Sequence, residues 1–141
     1  MTASDVERYP KGCRIIRIPS IQDERGALAF AEAHHVIPFA VERVFWIYNV
    51  PDGACRGGHA HWTCDEVLIP VSGALTVVLD DGQLRCDIRM ERCDEGVLIP
   101  AGVWCELRDF AVGTVLMVIA SQPYQPEGYI HDYKEFIKRK K

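Results

Sequence analysis

Nine short runs of strand character, none longer than eight residues, are set apart by turn-forming residues along this 141-residue chain. They fall at 13–18, 27–32, 43–50, 66–71, 74–80, 84–89, 97–100, 103–107 and 114–120. Between them stand Pro51-Asp52-Gly53, Ser72-Gly73, Asp80-Asp81-Gly82, Glu95-Gly96 and Pro100-Ala101-Gly102, the turn chemistry that a meander of antiparallel strands needs. Asp81-Gly82 is the clearest hairpin signal. Runs 66–71 and 114–120 are apolar on both faces, as expected of strands enclosed on two sides. Helix is scarce: only 130–137, with Ile130, Tyr133, Phe136 and Ile137 at helical spacing, reads as a terminal helix.

The expected architecture is therefore all-β, a single domain over residues 1–141 with one core and a basic tail at 134–141. That tail carries a net charge of +4 against a whole-chain charge of -4, so the body is acidic and makes a poor nucleic-acid platform. The run Lys138-Arg139-Lys140-Lys141 reads as a solvated end. Six cysteines at irregular spacings, with no C-x-x-C pair, fit reduced thiols and a cytoplasmic setting. The first eight residues hold two acids where a secretory leader needs an apolar stretch. The best apolar run, 115–120, is far short of the ~20 residues that cross a bilayer, so no membrane association is expected.

The densest polar cluster is Arg56-Gly57-Gly58-His59-Ala60-His61, followed by Asp65-Glu66. On an extended strand, positions two apart share a face, so His59 and His61 can meet a common ligand. That geometry suits metal binding or acid–base work, and an isolated pair of this kind is also compatible with a solvated face or with hydrogen-bonded core imidazoles.

The surrounding frame narrows the choice. Gly53, His59, His61, Glu66 and Gly73 stand at the spacing of the first motif of the cupin superfamily, which the sequence resembles. The second cupin motif has a proline, a glycine and then a metal-binding histidine; here Pro100-Ala101-Gly102 leads to Cys105 at the histidine position. The resemblance implies a cupin (RmlC-like) β-barrel or jelly roll with a short C-terminal helix.

A closer resemblance runs through Arg25-Gly26, Ile37-Pro38-Phe39, Arg43-Val44-Phe45, the segment from Arg56 to His61, Leu79-Asp80-Asp81-Gly82, Val103-Trp104, Ala120-Ser121 and Tyr129-Ile130-His131-Asp132-Tyr133. These segments are similar to the WxcM-like cupins, the nucleotide-linked 4-keto-6-deoxy sugar 3,4-ketoisomerases. The resemblance implies an enzyme without metal or other cofactor, a homodimer with exchanged N-terminal strands, and a dTDP-4-keto-6-deoxy-hexose as substrate. Its product would be the 3-keto isomer, on the way to a 3-amino sugar. By motif match His61 is the carbon base and His59 its partner at the oxygens, roles that are interchangeable at this stage. Arg43 and Arg56 are candidates for diphosphate or sugar oxygens, since guanidinium forks bind such oxygens in fixed geometry. Trp46 and Trp104 are candidates for stacking, Arg25 for a family Arg-Gly contact, and Glu66 for the substrate side of the site. The sequence departs from the family's usual residues at Phe45-Trp46, Trp62, Glu66 and Cys105.

Two other readings remain open on the residues. In one, His59, His61, Glu66 and Cys105 surround a divalent metal in a metal-dependent cupin. In the other, the fold binds a sugar nucleotide without turning it over.

Overall fold

The computed structural model describes residues 9–140; the first eight residues, on which the leader reading rests, and Lys141 of the basic tail lie outside them. Strands are numbered in chain order. One five-stranded sheet runs β1 (Arg14–Arg17), β9 (Glu95–Ile99), β6 (Glu66–Ser72), β11 (Val115–Ala120) and β4 (Arg43–Tyr48). The second runs β12 (Tyr129–Ile130), β5 (Arg56–His61), β10 (Trp104–Arg108), β7 (Leu75–Asp80) and β8 (Arg85–Met90). A separate ribbon pairs β2 (Ser20–Asp23) with β3 (Gly26–Ala29). Every strand pairing is antiparallel, and the two large sheets face each other as a jelly roll.

The main core lies between the sheets. Leu68, Val97, Leu116 and Val118 from one meet Leu75, Val77, Leu79, Cys105 and Leu107 from the other. The outer face of the first sheet is covered over β6 and β11 as well, which explains their missing alternation. Val67, Ile69 and Ile119 point the opposite way and are covered by Ile16, Ile18, Ile37 and Phe39 from the N-terminal segment. Outside the second sheet, Ala60, Trp104 and Ile130 pack against Phe136 of a helix, α1 (Tyr133–Arg139).

This helix begins three residues after the start of the run 130–137, because Ile130 is taken by β12 and Asp132 caps the helix, its carboxylate accepting from the Lys134 and Glu135 amides. The basic residues form its last turn. Arg139 lies over the Trp62 ring at 4.2 Å and pairs with Glu135, which suits the cationic end of a helix. The helix is pinned by a buried carboxylate: Asp80 accepts from the Tyr133 hydroxyl at 2.6 Å and from Arg85 at 3.2 Å. None of the helices among the described residues is long and apolar enough to cross a membrane.

Candidate active site

The site is built on β5. His59 pairs with Cys105 on β10, but the next pair is Gly57 with Glu106, so Gly58 is left without a partner in a β-bulge. Gly57 and Gly58 both take positive φ, 79° and 71°. A Cβ on Gly57 would stand 3.0 Å from the Cys105 carbonyl oxygen, so a side chain there would force the strands apart. The bulge also changes parity. Arg56 and His59 are three positions apart and would face opposite sides of a regular strand; with one residue unpaired, both line the same cavity.

That cavity is about 300 Å³, enough for one sugar ring, and opens between the sheets. Phe45 and Ile47 of β4, Leu68, Val118 and Leu107 make apolar walls; Arg56, His59, Glu66, Tyr124, Tyr129 and His131 supply polar groups. The His59 and His61 rings meet edge to face with centroids 4.9 Å apart. Burial, with His61 as a neighbour, pushes His59 down to about 4, so it is a neutral imidazole throughout the physiological range. His61 is more deeply enclosed. Its Nε2 lies 3.3 Å from Glu66 Oε1, within ion-pair distance, but the direction is too poor for a hydrogen bond and the nitrogen has no hydrogen-bond partner. The distance establishes proximity, whereas the angle shows that the donor or acceptor is uncommitted.

His59, His61 and Glu66 offer donor atoms within 4.8 Å of one another, so these three residues are the ones that could hold a cation. Cys105 is not part of that cluster. Burial, then the Glu66 charge, drives its thiol well above the ordinary range. Asp65 has a structural use: its carboxylate accepts from the Ala101 amide, while the His61 carbonyl accepts from Gly102, so the turn 100–102 is tied to the end of β5.

The other residues singled out from the sequence fall elsewhere. Trp46 is 60% exposed on the outer face of β4, because alternation turns Phe45 and Ile47 inward instead. Trp104 is buried, but on the outside of the second sheet, where its indole N–H donates to Glu106 and its ring packs on Tyr133 and Phe136. Neither tryptophan lines the cavity. Arg25 sits in the β2–β3 turn, paired with Asp23. The Arg43 guanidinium donates to the Tyr129 hydroxyl at 3.4 Å and lies over the Phe45 and Tyr124 rings, so it stands behind the cavity wall. Tyr124, Tyr129 and His131 were not singled out for the site. Tyr129 and His131 lie in a segment that carries the family resemblance and Tyr124 does not, and a two-residue strand gives no periodic signal.

A jelly roll with two imidazoles from one strand, His59 lining the cavity with Glu66 and His61 packed against them, defines a cupin with a site suited to proton transfer. Residues 11–141 match the family described as "FdtA: WxcM-like, C-terminal". The chain belongs to that family. It is 35% identical over 125 residues to the TDP-4-oxo-6-deoxy-alpha-D-glucose-3,4-oxoisomerase of Aneurinibacillus thermoaerophilus, covering 89% of this chain and 90% of that protein. Its structure is similar to a 3,4-ketoisomerase from Helicobacter canadensis, with TM-score 0.89, 35% identity, and coverage of 92% of this chain and 97% of that one. It is also similar to a histidine-to-asparagine variant of the 3,4-ketoisomerase QdtA from Thermoanaerobacterium thermosaccharolyticum, solved in complex with TDP-4-keto-6-deoxyglucose. There the TM-score is 0.88 and the identity 31%, covering 90% of this chain and 92% of that one.

Proposed function

We propose that this protein isomerises a TDP-linked 4-keto-6-deoxy-hexose to its 3-keto isomer by proton transfer between C3 and C4. The observation that carries the reading is that His59 and Glu66 line a cavity of sugar-ring size, with His61 packed against His59 and its buried Nε2 beside Glu66. His59, which lines the cavity and is held neutral, takes the proton from C3, an enediol forms, and the same imidazolium returns a proton to C4. The two histidine roles are thereby exchanged relative to the motif match: His61, packed against His59 and beside Glu66, is the partner of the carbon base. Arg56 at the cavity suits the diphosphate or sugar oxygens, since a 300 Å³ space leaves the nucleotide outside it.

A homodimer follows from the same reading. Its support is the isolated β2–β3 ribbon, whose Ile21 and Leu28 are about three-fifths exposed, together with the uncovered stripe Val44, Trp46 and Tyr48 on β4. Exchange of the ribbon between subunits would cover such surfaces. Buried thiols at Cys13, Cys64 and Cys105 are in keeping with a reducing cytoplasm.

The test is an NMR time course with TDP-4-keto-6-deoxyglucose in D₂O. Appearance of the 3-keto isomer, with deuterium entering at C3 or C4, is the expected result. TDP binding with no isomerisation would leave a binding module and remove the enzyme.

A further inference from the structure

Carbon-proton transfer is only half of this isomerisation. As the ketone moves, the oxygen on C4 gains a proton and the oxygen on C3 loses one, so a second group must exchange protons at the oxygens. The β4 and β11 side chains at the cavity, Phe45, Ile47 and Val118, offer none. We propose that Tyr129 is that group, passing the hydroxyl proton between the two sugar oxygens, with Arg43 as the positioning residue that holds its phenol. The inference rests on the ketoisomerase reading above.

Strand pairing sets the geometry. In β12, Ile130 lies opposite Ala60 and joins the helix-covered cluster outside the sheet, whereas Tyr129 lies opposite His61 and lines the cavity. Its ring is 5.0 Å from the ring of His59, which also lines the cavity, so one small ligand can touch both, and 4.5 Å from the buried His61 ring. His131 stacks on Tyr129 at 5.4 Å with the planes only 8° apart and lies 6.1 Å from His59, which fixes the orientation of the phenol. Arg43 Nη1 donates to the Tyr129 oxygen at 3.4 Å, and Arg43 Nε is buried with no hydrogen-bond partner. A guanidinium held there places a permanent positive charge beside the oxygen that becomes anionic when the phenol gives up its proton.

The steps balance without an outside reactant. In the first, the C3–H bond breaks to His59, its electron pair forms the C3–C4 double bond, and the C4 oxygen takes the Tyr129 proton. In the second, the phenolate removes the proton from the C3 oxygen, the C3 ketone forms, and His59 protonates C4. Both residues end in their starting states.

The experiment compares the parent with Tyr129→Phe, Arg43→Met, Arg43→Lys and the Tyr129→Phe/Arg43→Met double variant. Turnover of TDP-4-keto-6-deoxyglucose and TDP affinity by calorimetry are measured for each. We expect kcat to fall about 100-fold for Tyr129→Phe with TDP affinity within two-fold of the parent. Arg43→Met should fall about 10-fold and Arg43→Lys less, while the double variant should resemble Tyr129→Phe alone, as for residues acting as one unit. Parental kcat in Tyr129→Phe, or equal losses of TDP affinity and turnover, or additive effects in the double variant, would overturn the assignment while the ketoisomerase reading stood. A parent that binds TDP and does not isomerise the sugar would overturn both.

Discussion

His61 Nε2 and Glu66 Oε1 lie 3.3 Å apart with both side chains about 8% exposed, close enough to attract and misaligned for a hydrogen bond. The carboxylate is thus placed to steady the His61 imidazole and, through the 4.9 Å contact of the two rings, any positive charge the histidine pair acquires. Replacing His59 with Asn should cost at least ~10³-fold in kcat with TDP affinity retained. Glu66→Gln should cost about 10-fold to 100-fold in kcat and little in KM, because it removes an orienting charge and leaves the base. Steady-state kinetics on both variants check this, and a His59→Asn protein with parental turnover would refute the assignment.

His59 gives a pH signature in stability. Its pKa falls from an ordinary 6.5 to about 4 on folding, through burial and the neighbouring His61. The unfolded chain therefore binds more protons between those values. The folded protein should keep its full stability above about pH 6.5 and lose up to about 3 kcal/mol as pH falls through that window to about 4. Urea titrations from pH 4.5 to 7.5 measure the slope, which His59→Gln should flatten.

Asp80 joins the second sheet to α1 through Tyr133 and Arg85. Asp80→Ala leaves the partners of a buried carboxylate unmatched and should cost about 3 kcal/mol, whereas Tyr133→Phe should cost about 1 kcal/mol. Thermal unfolding of the two variants should keep that order.

Chelation separates proton transfer from metal chemistry. Protein dialysed against EDTA should retain its turnover, and Cys105→Ser should do so as well, because Cys105 lies outside the His59, His61 and Glu66 cluster. Near-stoichiometric metal lost together with activity would instead assign His59, His61 and Glu66 to a cation.

Much of this was legible in the sequence. All nine strand runs correspond to strands, and the two-apart spacing of His59 and His61 does bring their rings together. The missing elements have physical reasons. β5 holds one apolar residue in six, Ala60, and β2 one in four, Ile21, so hydrophobic period could not mark them, and β12 is too short to show any period. For Trp46 and Trp104 the difficulty was parity. Both faces of their strands carry large apolar groups, and only the presence of α1 outside Trp104 and the inward turn of Phe45 decide which face meets the cavity. Arg43 was read as a ligand for phosphate because sequence cannot reveal that Tyr129, 86 positions away, occupies its reach.

The lone unmatched peptide at Gly58 acts as a phase shifter between a guanidinium and two imidazoles. A homologue that lost one residue there would keep every functional side chain yet send either Arg56 or the histidine pair to the exterior. Length on this ribbon is thus as constrained as chemistry, and an alignment gap at that point would signal loss of the combined site even where all the residue types persist.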